Sequence, residues 1–205
     1  AFTGITFNAG GFSVSGNALT LTGNVTNNAG SNTLSNDMAM AATRTFNVAT
    51  STSLTANGVL TGVGGLIKTG SGTLTLGDVN SYSGGTTISA GTVNAGNLGV
   101  AGGSSSLGKT NTPTVLGSAS SKGTVNYTGG STTYLRGFTI GGAGGGEILN
   151  NGAGLLTIRS DITGSGFTLS LGGSGDILFQ KSIQTGTGAL IKNDTGTVTL
   201  TVTST

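Results

Sequence analysis

Along most of the chain, apolar residues stand two apart with a small or polar residue between them: Ile5 and Phe7, Leu19 and Leu21, Phe46 and Val48, Leu74 and Leu76, Val125 and Tyr127, Phe138 and Ile140, Ile177 and Phe179, Val198 and Leu200. A period of two gives an extended strand one buried and one wet face. The intervals are filled by Gly, Asn, Ser and Asp, which reach turn and left-handed conformations at little cost, so the pattern predicts many short strands joined by tight corners. One stretch, residues 37–44, has helix-forming composition, and it is too short to form a helix alone.

The strands recur in phrases. Leu66-Ile67-Lys68 returns as Leu190-Ile191-Lys192, and at the same spacing Gly72-Thr73-Leu74-Thr75-Leu76 returns as Gly196-Thr197-Val198-Thr199-Leu200. The two copies occupy residues 64–96 and 188–203. Ile162-Thr163 and Ile183-Gln184 open related corner phrases about 21 residues apart, a length suited to one solenoid coil. A sandwich or an up-and-down barrel needs hairpins, whereas equivalent coils place strand over strand in parallel at roughly 4.8 Å per coil. The expectation is therefore an all-β chain, a parallel β-helix (β-solenoid) of roughly nine coils and about 40 Å. It forms one domain over residues 1–205, since no linker or composition break divides it. Leu66, Leu74 and Leu76, with Leu190, Val198 and Leu200 in the second copy, are the expected repeat core.

Composition narrows the alternatives. Glycine supplies 41 of 205 residues and proline one, only 7% are charged, and 34% are hydrophobic. The glycines follow no three-residue period, which excludes collagen, and recurring Val, Ile, Leu and Thr at low charge exclude a typical disordered tail. A net charge of +2 without a basic cluster gives no nucleic-acid footprint. No apolar run is long enough for a membrane helix, so no membrane insertion by this segment is expected. Without cysteine neither disulfides nor thiolate sites form.

The run from Leu66 to Leu76, followed by Asn80-Ser81-Tyr82-Ser83-Gly84-Gly85-Thr86-Thr87-Ile88 and Ala90-Gly91-Thr92-Val93, resembles the autotransporter-associated β-strand repeat, also called the passenger-associated transport repeat. The resemblance implies a right-handed parallel β-helix of the kind found in passenger domains that cross the outer membrane of Gram-negative bacteria. It also implies an extracellular or cell-surface rod, structural or adhesive. The second copy departs from the pattern after Leu200, where Thr201-Val202-Thr203-Ser204-Thr205 replaces the Asn-x-Tyr segment.

Neither end of the sequence reads as a cap, and uncovered strand edges recruit other strands. Two accounts stay open: a segment of a longer surface protein, or a subunit of a filament that stacks end to end or exchanges strands. The partners would be neighbouring coils or a second copy of the chain, meeting through Phe2, Ile5, Phe7 and Val202.

Chemistry-bearing residues are few. With no His and no Cys, the commonest general base and the thiol nucleophile are missing. Six carboxylates remain, Asp37, Asp78, Glu147, Asp161, Asp176 and Asp194, and no two recur with a spacing suited to glycoside hydrolysis. Asp161 and Asp176 read as turn residues bonding nearby backbone, and Arg159 with Asp161 as a surface ion pair. Gly77-Asp78 and Gly175-Asp176 lack the tandem register of a calcium-binding roll, and the glycine run at 141–146 lacks the Lys of a phosphate loop. No catalytic residue, metal or cofactor is expected. Lys68 and Lys192 read as corner caps. Thr-x-Thr pairs at 20 and 22, 73 and 75, and 197 to 203 are too far apart to suggest the same-face array of an ice-binding solenoid. Only Tyr82, Tyr127 and Tyr134 could serve as exposed aromatic platforms for host or matrix glycans; Tyr82, part of the repeat, is expected to pack at a corner, which leaves Tyr134 near Arg136 as the contact candidate, and residues 96–121 form the longest irregular stretch.

Overall fold

Short strands with one apolar face cannot bury that face alone, and in the computed structural model stacked coils enclose most of these faces in one core. The structure describes residues 2–77 and 79–202. Ala1, Asp78 and residues 203–205 lie outside them. Twenty-four strands form sheets of eleven, nine and four strands. Every strand pairing is parallel, and an isolated antiparallel bridge joins Asn80 to Ser105. Among the described residues there is no helix. The nine-stranded sheet takes one strand from each coil, which makes the molecule a β-solenoid of nine turns. Ile162 pairs with Ile183, so the coil of 21 residues expected from sequence is realised in the ladder.

Alternation becomes columns. Leu54, Leu74, Val93, Val125, Ile148 and Leu171 stack through the nine-stranded sheet with their side chains buried. Val25, Phe46, Lys68, Ile88, Leu116 and Ile140 stack through the eleven-stranded sheet. Lys68 thus stands in an otherwise apolar column.

Residues 37–44 are not helical. Met38–Ala39 is a strand paired with Leu19 and Leu60, and a second strand begins at Arg44. The amides of Met38 and Met40 donate to the carbonyls of Val59 and Thr61, one coil on. Coil-to-coil bonds and burial of both methionines outweigh a weak local helix preference.

The two LIK copies do not occupy equivalent places. Leu66–Thr69 lies in the eleven-stranded sheet and Thr73–Leu76 in the nine-stranded one, whereas Leu190–Lys192 lies in the nine-stranded and Val198–Leu200 in the four-stranded sheet. The second copy is displaced by one face. Leu66, Leu74 and Leu76 are buried, but Leu190 and Leu200 are 46% and 42% exposed and Val198 is half-buried. Leu190 and Leu200 lie on the last described strands of their sheets.

Candidate functional site

The corner lysines show how a repeated phrase fixes local structure. Lys68 Nζ donates to the carbonyls of Thr69 at 2.8 Å, Gly70 at 2.6 Å and Ala90 at 3.2 Å, the last from the next coil. All three donors are used and the stem lies in the core, while burial lowers the ammonium from 10.5 to about 8. Lys192 makes the same local contacts, to the carbonyls of Asn193 and, at 2.9 Å, Asp194. Gly70 and Asp194 hold matching left-handed positions, φ 71° and 60°, which the corner requires.

The carboxylates serve the same stacking. Asp37 accepts the Val59 amide at 2.8 Å, Asp161 that of Ser182 at 3.1 Å, Asp176 that of Thr197 at 2.8 Å, and Asp194 that of Gly173 at 2.9 Å. Each partner lies one coil away rather than in the residue's own turn, as the sequence reading had it. Arg159 and Asp161 do not pair. Among the described residues the one ion pair is Lys122–Glu147, 2.8 Å, with Glu147 also accepting from Thr124 at 2.9 Å. No three of His, Cys, Asp and Glu come together among the described residues, and no helix among them is long and apolar enough to cross a membrane. Asp78 lies outside the described residues.

The outer side of the nine-stranded sheet carries two columns that sequence spacing concealed. Ser31, Ser53, Thr73, Thr92 and Thr124 form one, and Thr33, Thr55, Thr75, Asn94 and Asn126 the other. Only Thr73 and Thr75 make a Thr-x-Thr pair on these columns; Ser replaces Thr on the rungs before it and Asn on the rungs after it. The groups bond mainly to one another: Ser53 to Ser31 at 2.8 Å, Asn94 to Thr75 at 3.1 Å, Asn126 to Asn94 at 3.0 Å.

Among the described residues the coil lengthens most in one region. Asn94 and Asn126 are register partners 32 residues apart, well beyond the 21 of a plain coil, and residues 96–113 supply the surplus. The four-stranded sheet begins only at Thr132–Tyr134, after this excursion. Side chains stand in for the missing strands. Asn80 accepts the Leu60 amide at 2.8 Å and donates to the Ser106 carbonyl at 2.9 Å. The Tyr82 and Thr86 hydroxyls meet at 2.7 Å, and Thr86 donates to the Leu107 carbonyl at 3.1 Å. Tyr134 bonds Thr114 at 2.7 Å and packs on Phe138 with ring centroids 4.7 Å apart. Leu98 and Leu107 anchor the excursion in the core, whereas Val100, Lys109, Asn111, Thr112 and Pro113 face solvent.

Tyr82, Tyr127 and Tyr134 are therefore not exposed platforms. All three are buried, Tyr82 and Tyr134 beneath this network and Tyr127 donating to the Gly130 carbonyl. Burial raises the phenols of Tyr82 and Tyr134 more than the facing hydroxyls and Arg136 lower them. A depth signal existed in the sequence: Tyr82 stands four residues before Thr86, the hydroxyl it meets.

At the ends, Phe2 is half exposed and Ile5 partly buried, while Phe7 is covered by Phe12, with ring centroids 6.4 Å apart. Phe12 takes the outward place expected of Phe7. Val202 is 38% exposed beside Leu200.

These features define a parallel β-solenoid, and part of it is similar to known passenger sequences. Residues 66–95 match the family model of the passenger-associated transport repeat, the same corner, strands and Asn80–Tyr82–Thr86 network just described. The chain is 33% identical over 150 residues to the Adhesin BmaC autotransporter of Brucella suis biovar 1 (strain 1330), an alignment covering 73% of this chain and 4% of that relative. The chain thus spans a small part of the relative's length. No solved structure matches it.

Proposed function

We propose that this chain is a non-enzymatic, adhesive segment of a surface-exposed β-helical rod of a Gram-negative-type bacterium, and that residues 96–113 are its contact element. The observation that carries the reading is its similarity over 150 residues to a protein described as an adhesin. The structure adds two supports. The five described carboxylates are engaged in joining coils, and they do not form a facing acid–base pair. Among the described residues the excursion is the longest addition to a coil, and it presents irregular surface that is uncharged apart from Lys109. Beads coated with the purified chain are expected to attach to a panel of immobilised neutral and acidic glycans and matrix proteins. A variant in which residues 98–112 are replaced by a short Gly-Ser turn is expected to lose attachment. Equal attachment of coated and bare beads overturns the adhesive reading.

A second reading, end-to-end stacking on another copy or on adjoining coils, is favoured by the apolar side chains at both ends, Phe2 and Phe12 at one, Leu190, Ile191 and Val202 at the other. Sedimentation velocity over a hundredfold concentration range tests it, and a constant monomer refutes self-stacking.

A further inference from the structure

Arg136 is 4% exposed, yet among the described residues no carboxylate pairs with it. Its Nη1 donates to the carbonyls of Leu107 at 3.0 Å and Gly108 at 3.4 Å, and its Nη2 to the Ser105 hydroxyl at 3.2 Å. Its guanidinium carbon lies 5.4 Å from the centre of the Tyr134 ring, and Nε has no partner. A buried charge without a counter-ion is costly, and apolar packing would stabilise the shaft more cheaply. Each of these three bonds crosses 28 to 31 residues into the excursion.

We infer that Arg136 is the positioning residue of the 96–113 excursion, the group that clamps it from the following coil. On its other side the excursion is held by the coil before it: Asn80 and Ser105 exchange backbone bonds of 2.9 and 3.3 Å, and the Lys109 amide donates to the Tyr82 carbonyl at 2.8 Å. Arg136 closes the opposite side. Its planar fork reaches the Leu107 carbonyl and the Ser105 hydroxyl with separate nitrogens, which a single ammonium cannot do in the same geometry. Leu107 is the meeting point, since its carbonyl accepts from Thr86 of one coil and Arg136 of another. Without Arg136 the excursion keeps one wall and its two leucine anchors, and Lys109, Asn111 and Thr112 are no longer displayed in one conformation.

The inference deepens the proposal that the excursion makes the adhesive contact, and its test separates the two. Trypsin cleavage after Lys109 reports the excursion, and cleavage after Lys122 and Lys181 reports the shaft. In the full chain, Arg136→Gln is expected to speed cleavage after Lys109 by about tenfold to a hundredfold, the range for losing charged hydrogen bonds that oppose local opening. Cleavage after Lys122 and Lys181 and the far-UV circular dichroism should stay as in the parent, and Arg136→Lys, which restores the charge but not the fork, should fall between. Unchanged cleavage after Lys109, or an equal rise at all three sites, overturns the clamp. Should Arg136→Gln fail to fold, Arg136→Lys alone decides by the same three rates. If the clamp holds by this measure but bead attachment is unaffected by the loosened excursion, the contact role is what fails.

Discussion

Raising the pH from 7 to about 10 should stabilise this protein, and raising it further should destabilise it. In the unfolded chain Lys68 keeps its proton up to its ordinary value of 10.5, in the fold only up to about 8. Between those values the unfolded chain binds more protons, so stability rises with pH across that window. Below it the folded ammonium carries the full desolvation penalty. The separation corresponds to about 3 kcal/mol, a large part of the roughly 5–15 kcal/mol typical of a folded domain. Tyr82 and Tyr134 act in the opposite sense: burial raises both phenols above 10.0. Above that pH the unfolded chain loses protons that the fold retains, and stability falls by about 1.4 kcal/mol per pH unit for each tyrosine. The two limbs put the optimum near pH 10. Urea midpoints at constant ionic strength between pH 7 and 11.5 measure it, with Lys68→Met as the variant that removes the rising limb. A parent midpoint that is flat or falls between pH 8 and 10, or a rising limb that survives in Lys68→Met, refutes the reasoning.

Other expectations follow from packing. Phe46→Ala empties a fully buried position between Val25 and Lys68 and should cost about 3–5 kcal/mol, read as a lower urea midpoint. Asn80→Ala leaves the buried Leu60 amide without its acceptor and should cost about 1–3 kcal/mol, with faster hydrogen exchange at that amide before others in the coil. Gly91→Val places a side chain at φ 69°, where a Cβ would sit 2.5 Å from the carbonyl oxygens of Gly70 and Gly72, and thermal denaturation should show a loss larger than that of Phe46→Ala. Lys122→Ala removes a half-exposed ion pair and should change the midpoint by less than about 1 kcal/mol.

The rungs were readable because period-two alternation is a property of each strand alone. Coil length was readable from Ile162 and Ile183, neighbours in the ladder. What the linear chain hid was which rung lies over which. Leu66 and Leu190 share a phrase, yet the phrase encodes a strand, a corner and a strand, a unit that either of two corners accepts, so identity did not imply the same face. The outer columns through Thr73 and Thr75 were hidden because Ser substitutes for Thr along the first and Asn along the second. The burial of Tyr134 was hidden because its hydroxyl partner, Thr114, stands twenty residues away in sequence, whereas the Tyr82–Thr86 pair lay within its own neighbourhood. Asp161 and Asp176 were rightly assigned to backbone amides but in the wrong turn, since a solenoid brings the next coil as close as the next residue.

The displacement of the second LIK copy by one face also has a genetic meaning. Related repeats of this kind can be exchanged by unequal recombination where their coding sequences are similar enough, and here the two copies sit on different sides of the same shaft. A crossover between them would leave a seamless junction, yet every strand beyond it would be carried round to the neighbouring side. Deletion or duplication at this phrase would thus re-aim whatever the distal rod displays, and a lineage could change the direction its surface points without altering a single residue of that surface.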